Sequence, residues 1–459
     1  MSGMDTEKLA RKLRGPVLRA EDVDYEEARR IWNGRFNQRP ALIVRCSGPE
    51  DVVAAIEFAQ EHDVPLAVKG GGHSYAGHGS CDDGLLIDLS PMHRVDVDGD
   101  SRTARVEAGA TWGEFDAEAQ RFGLATPGGS VSTIGVAGLT LGGGSGYGTR
   151  KHGLTIDNLI SADVITADGR SVRASEDENP DLFWALRGGG GNFGVVTSFE
   201  FELHELGPQV LAGQIVHPFR DARAVLEFYR EFMAGAPDEV DCYAFALRVP
   251  PLDVFPEEHH GQLALDLVFF YCGDATEGQE VARPLRDFGE PILSAIQRIP
   301  YTTFKSSFDD GLPRGGRYDT RAHYLKDLSD VSIYTMLNGV EGLAGAYTIV
   351  YFEPLGGAVG RVAPEATAFP HREAAYSFHI LAGWTDPGED DEIMAWARDF
   401  HRAMSPDSTG GVYVNLIGRE EEDRVRAAYG DNYDRLVEIK NEWDPRNLFR
   451  INHNIEPAG

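Results

Sequence analysis

Cysteine is scarce in this 459-residue chain, and the four that occur (Cys46, Cys81, Cys242 and Cys272) lie far apart. No CxxC pair and no histidine cluster accompanies them, which excludes a zinc site and a disulfide framework and leaves them as core residues, with no metal expected. Positive charge is scarce too: 43 Lys and Arg against 73 Asp and Glu leave a formal charge of −30. That balance argues against nucleic acid as a partner. Only seven of the bases are lysine, and the acids are spread along the chain rather than gathered in a tail. The surface as a whole is therefore acidic, and both salt adaptation, in which self-repulsion is screened, and an ordinary acidic surface account for it. Long apolar runs are missing. The opening MSGMDTEKLARKLRG mixes charges of both signs and leads into no apolar stretch. Neither a signal peptide nor a membrane helix is readable there, so a cytoplasmic protein away from membranes is expected.

What is present is enough for a large core. At 42% hydrophobic content and this length, two or three domains are expected. The stretch 41–69 reads as strand (41–45), helix (about 50–62, opened by Pro49) and strand (65–69). GLLIDLSPM, HRVDVDGD and TARVEAG then read as an antiparallel meander, and TWGEFDAEAQRFG as an amphipathic helix. NLISADVITADGRSVRAS gives two strands about an Asp-Gly turn, and DLFWALRGGGGNFGVVTSFEFELHEL gives helix, glycine loop and strand. From about 208 the glycine density falls and strands alternate with helices, which predicts an antiparallel α+β unit. Near the C-terminus, GGVYVNLIG reads as a strand, followed by a helix that Asp444-Pro445 stops and an extended tail.

Three glycine tracts carry the chemistry: VKGGGHSYAG (68–77), TPGGSVSTIGVAGLTLGGGSGYG (126–148) and RGGGGNFG (187–194). Glycines after a buried strand let backbone N–H groups converge on a ligand without a Cβ in the way, which suits phosphate oxygens. The first tract lacks the Gly-Lys-Ser/Thr ending of a Walker loop and does not open a helix as GxGxxG does, so ATP and NAD are weakly supported. Each tract alone is also what an ordinary turn looks like. Three within about 130 residues imply a long ligand lying against backbone, such as a dinucleotide.

The order of these tracts, followed by YVNL (413–416) and WDPRNLFRINHNI (443–455), resembles the berberine-bridge-enzyme-like branch of the vanillyl-alcohol-oxidase flavoproteins, over about 36–457. The resemblance implies an α+β fold: a PCMH-type two-subdomain FAD-binding domain (36–207), an antiparallel-sheet substrate domain (208–408) and a C-terminal segment (409–457) that returns to the FAD domain. It implies an FAD-dependent oxidoreductase acting by hydride transfer on an alcohol, sugar or phenol, with oxygen or another electron acceptor, as a monomer or homodimer. An oxidative cyclase or biosynthetic tailoring enzyme is the alternative within enzymes, and a non-catalytic flavin-binding protein the alternative outside them.

Residue by residue, the resemblance assigns His73 to a covalent bond with the flavin 8α-methyl group. Gly70, Gly71, Gly72, Ser74 and Gly77 fall in its pyrophosphate loop, and Tyr75 supports the linkage. The second tract contributes Gly128, Gly129, Thr133, Ile134, Gly135, Gly138 and Gly142, and Val196, Asn452 and Asn454 also reach the cofactor. Val131 occupies the position of a second, cysteinyl linkage in many relatives, so a single histidyl bond is implied. Ile134 occupies the oxygen-gatekeeper position, where bulk leans toward a dehydrogenase. Tyr413 is the implied base, with Asn415 beside it and His379, in place of a family glutamine, as an alternative. Read as a strand, YVNL would put Tyr413 and Asn415 on one face. Ser145 and Ser377 replace a Tyr and Lys pair of plant relatives, which leaves the substrate open. Arg372 of FPHR is expected to be structural, and Asp444, Pro445 and Asn447 to form only the turn that aims the tail.

Overall fold

A computed structural model describes residues 6–458. Three strands with no polar interruption, Leu42–Arg45, Leu66–Lys69 and Leu85–Asp88, pair in parallel, with Leu85–Asp88 in the middle, and Val17–Leu18 closes one edge. All four residues of Leu85–Asp88 are buried, as in parallel strands covered on both faces. This corrects the expected meander, because only Val95–Asp98 and Thr103–Glu107 form an antiparallel pair. Those two belong to a five-stranded antiparallel sheet with Val195–Glu202, Leu159–Ile165 and Ser171–Ser175. Helix Pro49–His62 starts at its proline, and helix Trp112–Ala119 starts with a capping box in which the Thr111 and Glu114 side chains satisfy each other's backbone N–H groups.

The second half is built on one eight-stranded antiparallel sheet in the order Leu293–Ser294, Gln209–Pro218, Leu263–Tyr271, Val240–Arg248, Ile349–Pro354, Tyr376–Trp384 and Arg317–Leu325, with Gln297–Pro300 also on Gln209–Pro218. Its two faces differ because successive side chains point opposite ways. Leu265, Leu267 and Phe269 pack with helices Ala222–Gly235, Ala275–Asp287, Asp330–Glu341 and Asp390–Met404 into one core. Val268 and Phe270 join Tyr147, Tyr301 and Phe304 on the other face. That second face looks toward the glycine tracts.

Two corrections follow. GGVYVNLIG holds no strand: Tyr413 is extended and Val414–Leu416 closes a single 3₁₀ turn, the Leu416 N–H donating to Tyr413 O at 2.9 Å. Only Gly411 makes a backbone–backbone hydrogen bond to the sheet edge, its carbonyl accepting the Tyr324 N–H at 3.4 Å, and no ladder continues from it. The turn at Asp444 does more than aim the tail. Asp444 forms a fully buried ion pair with Lys440 (2.7 Å), and the Lys440 ammonium also donates to Asn192 O and Phe449 O, tying the third glycine tract to the C-terminus. All four cysteines are buried and free, and Arg372 is buried in a bidentate pair with Asp157. Among the described residues, no helix is long and apolar enough to cross a membrane.

The two halves are bolted by another buried pair, Lys305 to Asp116 at 2.5 Å, with the ammonium 5.6 and 5.3 Å from the Trp112 and Tyr301 ring centres. Burial raises the Asp116 carboxyl above its ordinary range against the pull of Lys305. Lys305→Met should lower unfolding stability by about 3–5 kcal/mol because it strands a buried carboxyl, whereas Asp116→Leu together with Lys305→Met should recover most of the loss. Urea titrations of the three proteins check this; a single variant as stable as the parent would contradict it.

Candidate active-site cleft

The first and second glycine tracts meet backbone to backbone. A Cβ built on Gly71 would stand 2.4 Å from Gly135 Cα, and one built on Gly135 would stand 2.7 Å from Gly71 Cα, so neither position accepts a side chain. This contact forms the floor of a cleft of about 320 Å³ between the two halves, within the range of small-molecule sites. The third tract adds Gly190, Gly191 and Asn192 at one end, with Asn452 and His453 of the tail beside them. The sheet face supplies the opposite wall with Tyr243, Tyr351, Glu353 and His379.

Of the residues singled out in the sequence, Gly70, Gly71, Gly72, His73, Ser74, Tyr75, Ile134, Gly135, Gly138, Val196, His379, Tyr413, Asn415 and Asn452 line this cleft. Gly77, Gly128, Gly129, Thr133, Gly142 and Asn454 are not among its lining residues, and Thr133 is exposed. Each of the glycines among them makes room for a neighbour: a Cβ at Gly77 would meet the Phe36 ring, one at Gly128 or Gly129 the Trp112 ring, and one at Gly142 the Asn415 amide at 2.3 Å. Gly142 therefore leaves the space that Asn415 occupies.

His73 leaves the strand Leu66–Lys69 through the three glycines and lies flat against Trp32, with centroids 4.1 Å apart and planes at 18°. Trp32 stacks in turn on Tyr318 of the sheet (3.9 Å), while Tyr75 meets both Trp32 and His73 edge-on. Sequence reasoning missed Trp32, which lies before residue 36; no local signal marks an aromatic that acts through a contact 41 residues away. Burial pushes the His73 imidazole down to about 4, and its Nε2 is buried without a partner. Tyr413 is oriented from three sides: its hydroxyl accepts from the Gly144 N–H (3.0 Å) and from Asn415 Nδ2 (2.9 Å), and donates to Leu139 O at 3.5 Å. Those two donors favour a phenolate, but burial outweighs them and holds the phenol above its ordinary value.

The larger omission is Glu353. It sits in the apolar strand Ile349–Pro354, 6% exposed, with Oε2 2.9 Å from His379 Nε2 and Oε1 accepting from the Tyr243 hydroxyl at 3.3 Å. The His379 ring stacks on Tyr351 at 4.2 Å. An acid two residues from an aromatic inside an otherwise apolar strand was a readable signal, since period two puts Tyr351 and Glu353 on one face.

The cleft fits FAD. Its floor is bare backbone, and a Cβ on Gly138 or Gly191 would meet nothing within 4 Å, so space is kept above both. Buried polar atoms without partners, His73 Nε2, Asn452 Oδ1 and His453 Nδ1, border it along its length. The cleft's aromatic and backbone lining suits a flat ring joined to a diphosphate.

Comparison with known proteins agrees. A family model described as FAD binding domain matches residues 40–175, and one described as berberine and berberine like matches 412–456. The chain is 35% identical over 454 residues to an uncharacterized FAD-linked oxidoreductase, YgaK, of Bacillus subtilis (strain 168), covering 97% of this chain and 98% of the relative. In solved structures it is similar to 6-hydroxy-D-nicotine oxidase from Arthrobacter nicotinovorans (TM-score 0.87, 27% identity, 97% and 98% covered). It is also similar to xylooligosaccharide oxidase from Myceliophthora thermophila in complex with xylobiose (TM-score 0.86, 26% identity, 99% of each covered).

Two cleft histidines set an acid limit. His78 and His453 meet edge to face at 4.6 Å, and burial above all pushes them down to about 4 and about 3. Both values lie below the ordinary imidazole range, so on acidification the unfolded chain takes up these protons first. Stability should be intact above about pH 6.5 and fall as pH drops toward 4, by at most about 1.4 kcal/mol per pH unit for each ring. Melting temperatures between pH 7 and 4.5 test this: His453→Gln should flatten the decline, and parallel curves for the two proteins would refute the assignment.

Proposed function

The chain belongs to the berberine-type FAD-linked oxidoreductases, and from that premise we propose that it oxidises a hydroxyl-bearing small molecule in the chamber between the glycine floor and the sheet face. The observation that carries this reading is convergence: Glu353, His379 and Tyr413 come from separate segments and face the same floor as the unpartnered His73 nitrogen. When bound, FAD would supply the hydride acceptor. The protein's share is to hold the substrate over the floor, exclude water and remove a proton.

We assign the proton-accepting role to Glu353 with His379, and not to Tyr413 alone. Glu353 and His379 stand 2.9 Å apart and face the cleft together, whereas burial keeps the Tyr413 phenol protonated. Tyr413, fixed by Gly144 and Asn415, then orients the substrate oxygen by hydrogen bonding. Tyr75, Tyr243 and Tyr351 give the chamber aromatic walls, and among the described lining residues the one Lys or Arg is Lys69, whose ammonium is engaged by Ala28 O and Asp88, which favours an uncharged ring-bearing alcohol or phenol over an anion. The test is anaerobic mixing of the holoenzyme with a panel of alcohols, phenols and xylobiose, read as bleaching of the flavin. With a substrate so found, Glu353→Gln should slow flavin reduction by about 10²–10⁴-fold and leave the flavin bound. Reduction at the parent rate would remove Glu353 from the role.

We further propose the covalent bond at His73. Burial keeps its ring neutral, the state in which one nitrogen retains a lone pair, and the stack on Trp32 fixes the plane of the ring. After acid precipitation the yellow colour should stay with the pellet, and His73→Ala should release it to the supernatant. Colour lost to the supernatant from the parent protein would mean that the cofactor is held without the bond.

A further inference from the structure

Behind Tyr413 lies a second cavity of about 10 Å³, room for one water molecule. Its wall includes Glu353, Ser377, Tyr324, Tyr413 and Gly144. Three of these are cross-strand neighbours. In the antiparallel register Glu353 pairs with Ser377, and Ser377 pairs with Tyr324, so the three side chains share one face of adjacent strands. The Tyr243 hydroxyl, reaching Glu353 from the strand on its other side, extends the row to four. Serine is the short member of this row. Its hydroxyl is buried, at 3% exposure for the residue, and has no direct partner, in a strand buried along its whole length. An unpaired buried hydroxyl beside a carboxylate costs free energy unless something bridges it.

We propose that this cavity binds one water molecule, held by Ser377 Oγ and the Tyr324 hydroxyl, which donates a hydrogen bond to Glu353, and that Ser377 is a positioning residue for the proton acceptor. The inference rests on the assignment of Glu353 in the preceding section. Glu353 then receives donors from both sides along the row, directly from Tyr243 and through the water from Tyr324, while His379 meets its other oxygen and Tyr413 borders the cavity. Donors aimed at a carboxylate favour its ionised form and oppose the effect of burial. The row thus keeps a buried acid ready to accept a proton. A Lys or Arg in the place of Ser377 would fill the cavity and put a fixed charge there; serine leaves the space for a neutral, exchangeable donor.

The test uses the holoenzyme and needs no substrate. A crystal structure at about 1.6 Å should show a water within hydrogen-bond reach of Ser377 Oγ and a Glu353 oxygen, and Ser377→Val should expel it. A pH titration of the oxidised flavin absorbance reads ionisation next to the ring. The Glu353-dependent transition, identified by its loss in Glu353→Gln, should move upward by about one pH unit in Ser377→Val and by less in Tyr324→Phe. Should the valine variant fail to fold, Ser377→Ala keeps the space and removes the hydroxyl, and the same upward shift is expected. No water in the parent structure, or a Glu353-dependent transition unmoved once the water is gone, overturns this proposal alone. A transition that persists in Glu353→Gln overturns both the proton-acceptor assignment and the role of the water.

Discussion

Everything in the cleft is hung on one close approach, that of Gly71 to Gly135. Two chain segments more than sixty residues apart lie backbone against backbone, at a separation that any Cβ would force open. The floor they form has no side chains, so a cofactor can lie against peptide groups, and the residues that leave the floor are aimed by it. His73 follows the three glycines of the first tract and lands on Trp32; Ile134 precedes Gly135 by one and stands in the cleft wall. The third tract is brought to the same place by a different force, the buried Lys440 ammonium that gathers Asn192 O, Phe449 O and Asp444. A chain with seven lysines spends three, Lys69, Lys305 and Lys440, as buried ties around this floor and between the halves.

The wall opposite obeys another rule. A sheet with helices on one face has its other face free for chemistry, and period-two alternation keeps the two from mixing. On the helix side the strands are mostly apolar, with His217 and His323 as buried polar exceptions. On the cleft side the register sets Phe245, Tyr351 and His379 in one row and Glu353, Ser377 and Tyr324 in the next. Burying a carboxylate, an imidazole and several phenols there costs stability, and the cost is contained because the groups face each other: Glu353 against His379 and Tyr243, Tyr413 against Gly144 and Asn415. The same burial that penalises these groups tunes them, keeping His73 neutral and Tyr413 protonated.

Sequence reading succeeded where neighbouring residues carry the information. Pro49 opening a helix, the amphipathic helix of TWGEFDAEAQRFG and the alternating strands of the second half are local features, and the elements formed as expected. It failed where a contact from elsewhere decides. YVNL has strand-like composition, yet it lies beside the edge strand Arg317–Leu325 without pairing to it and closes a 3₁₀ turn; Tyr413 and Asn415 still meet, through a hydrogen bond instead of a shared strand face. LLID looks like one leg of a meander until it is seen between two parallel partners. Gly77, Gly128 and Gly142 read as cofactor glycines, and the fold adds a reason for each that no local pattern shows, room for Phe36, Trp112 and Asn415.

The sequence by itself determined the backbone's permissions: which stretches have no Cβ, where a histidine follows a buried strand, which strands alternate, and hence the flavoprotein family and its fold. These depend on residues adjacent in the chain, whose steric freedom is local. Only the tertiary structure decided which glycine tract touches which, that Glu353 faces His379 across a strand register, and how far each ionisable group is removed from water. Those follow from contacts between residues tens to hundreds of positions apart, and desolvation and cross-strand pairing have no value until the chain has closed around them.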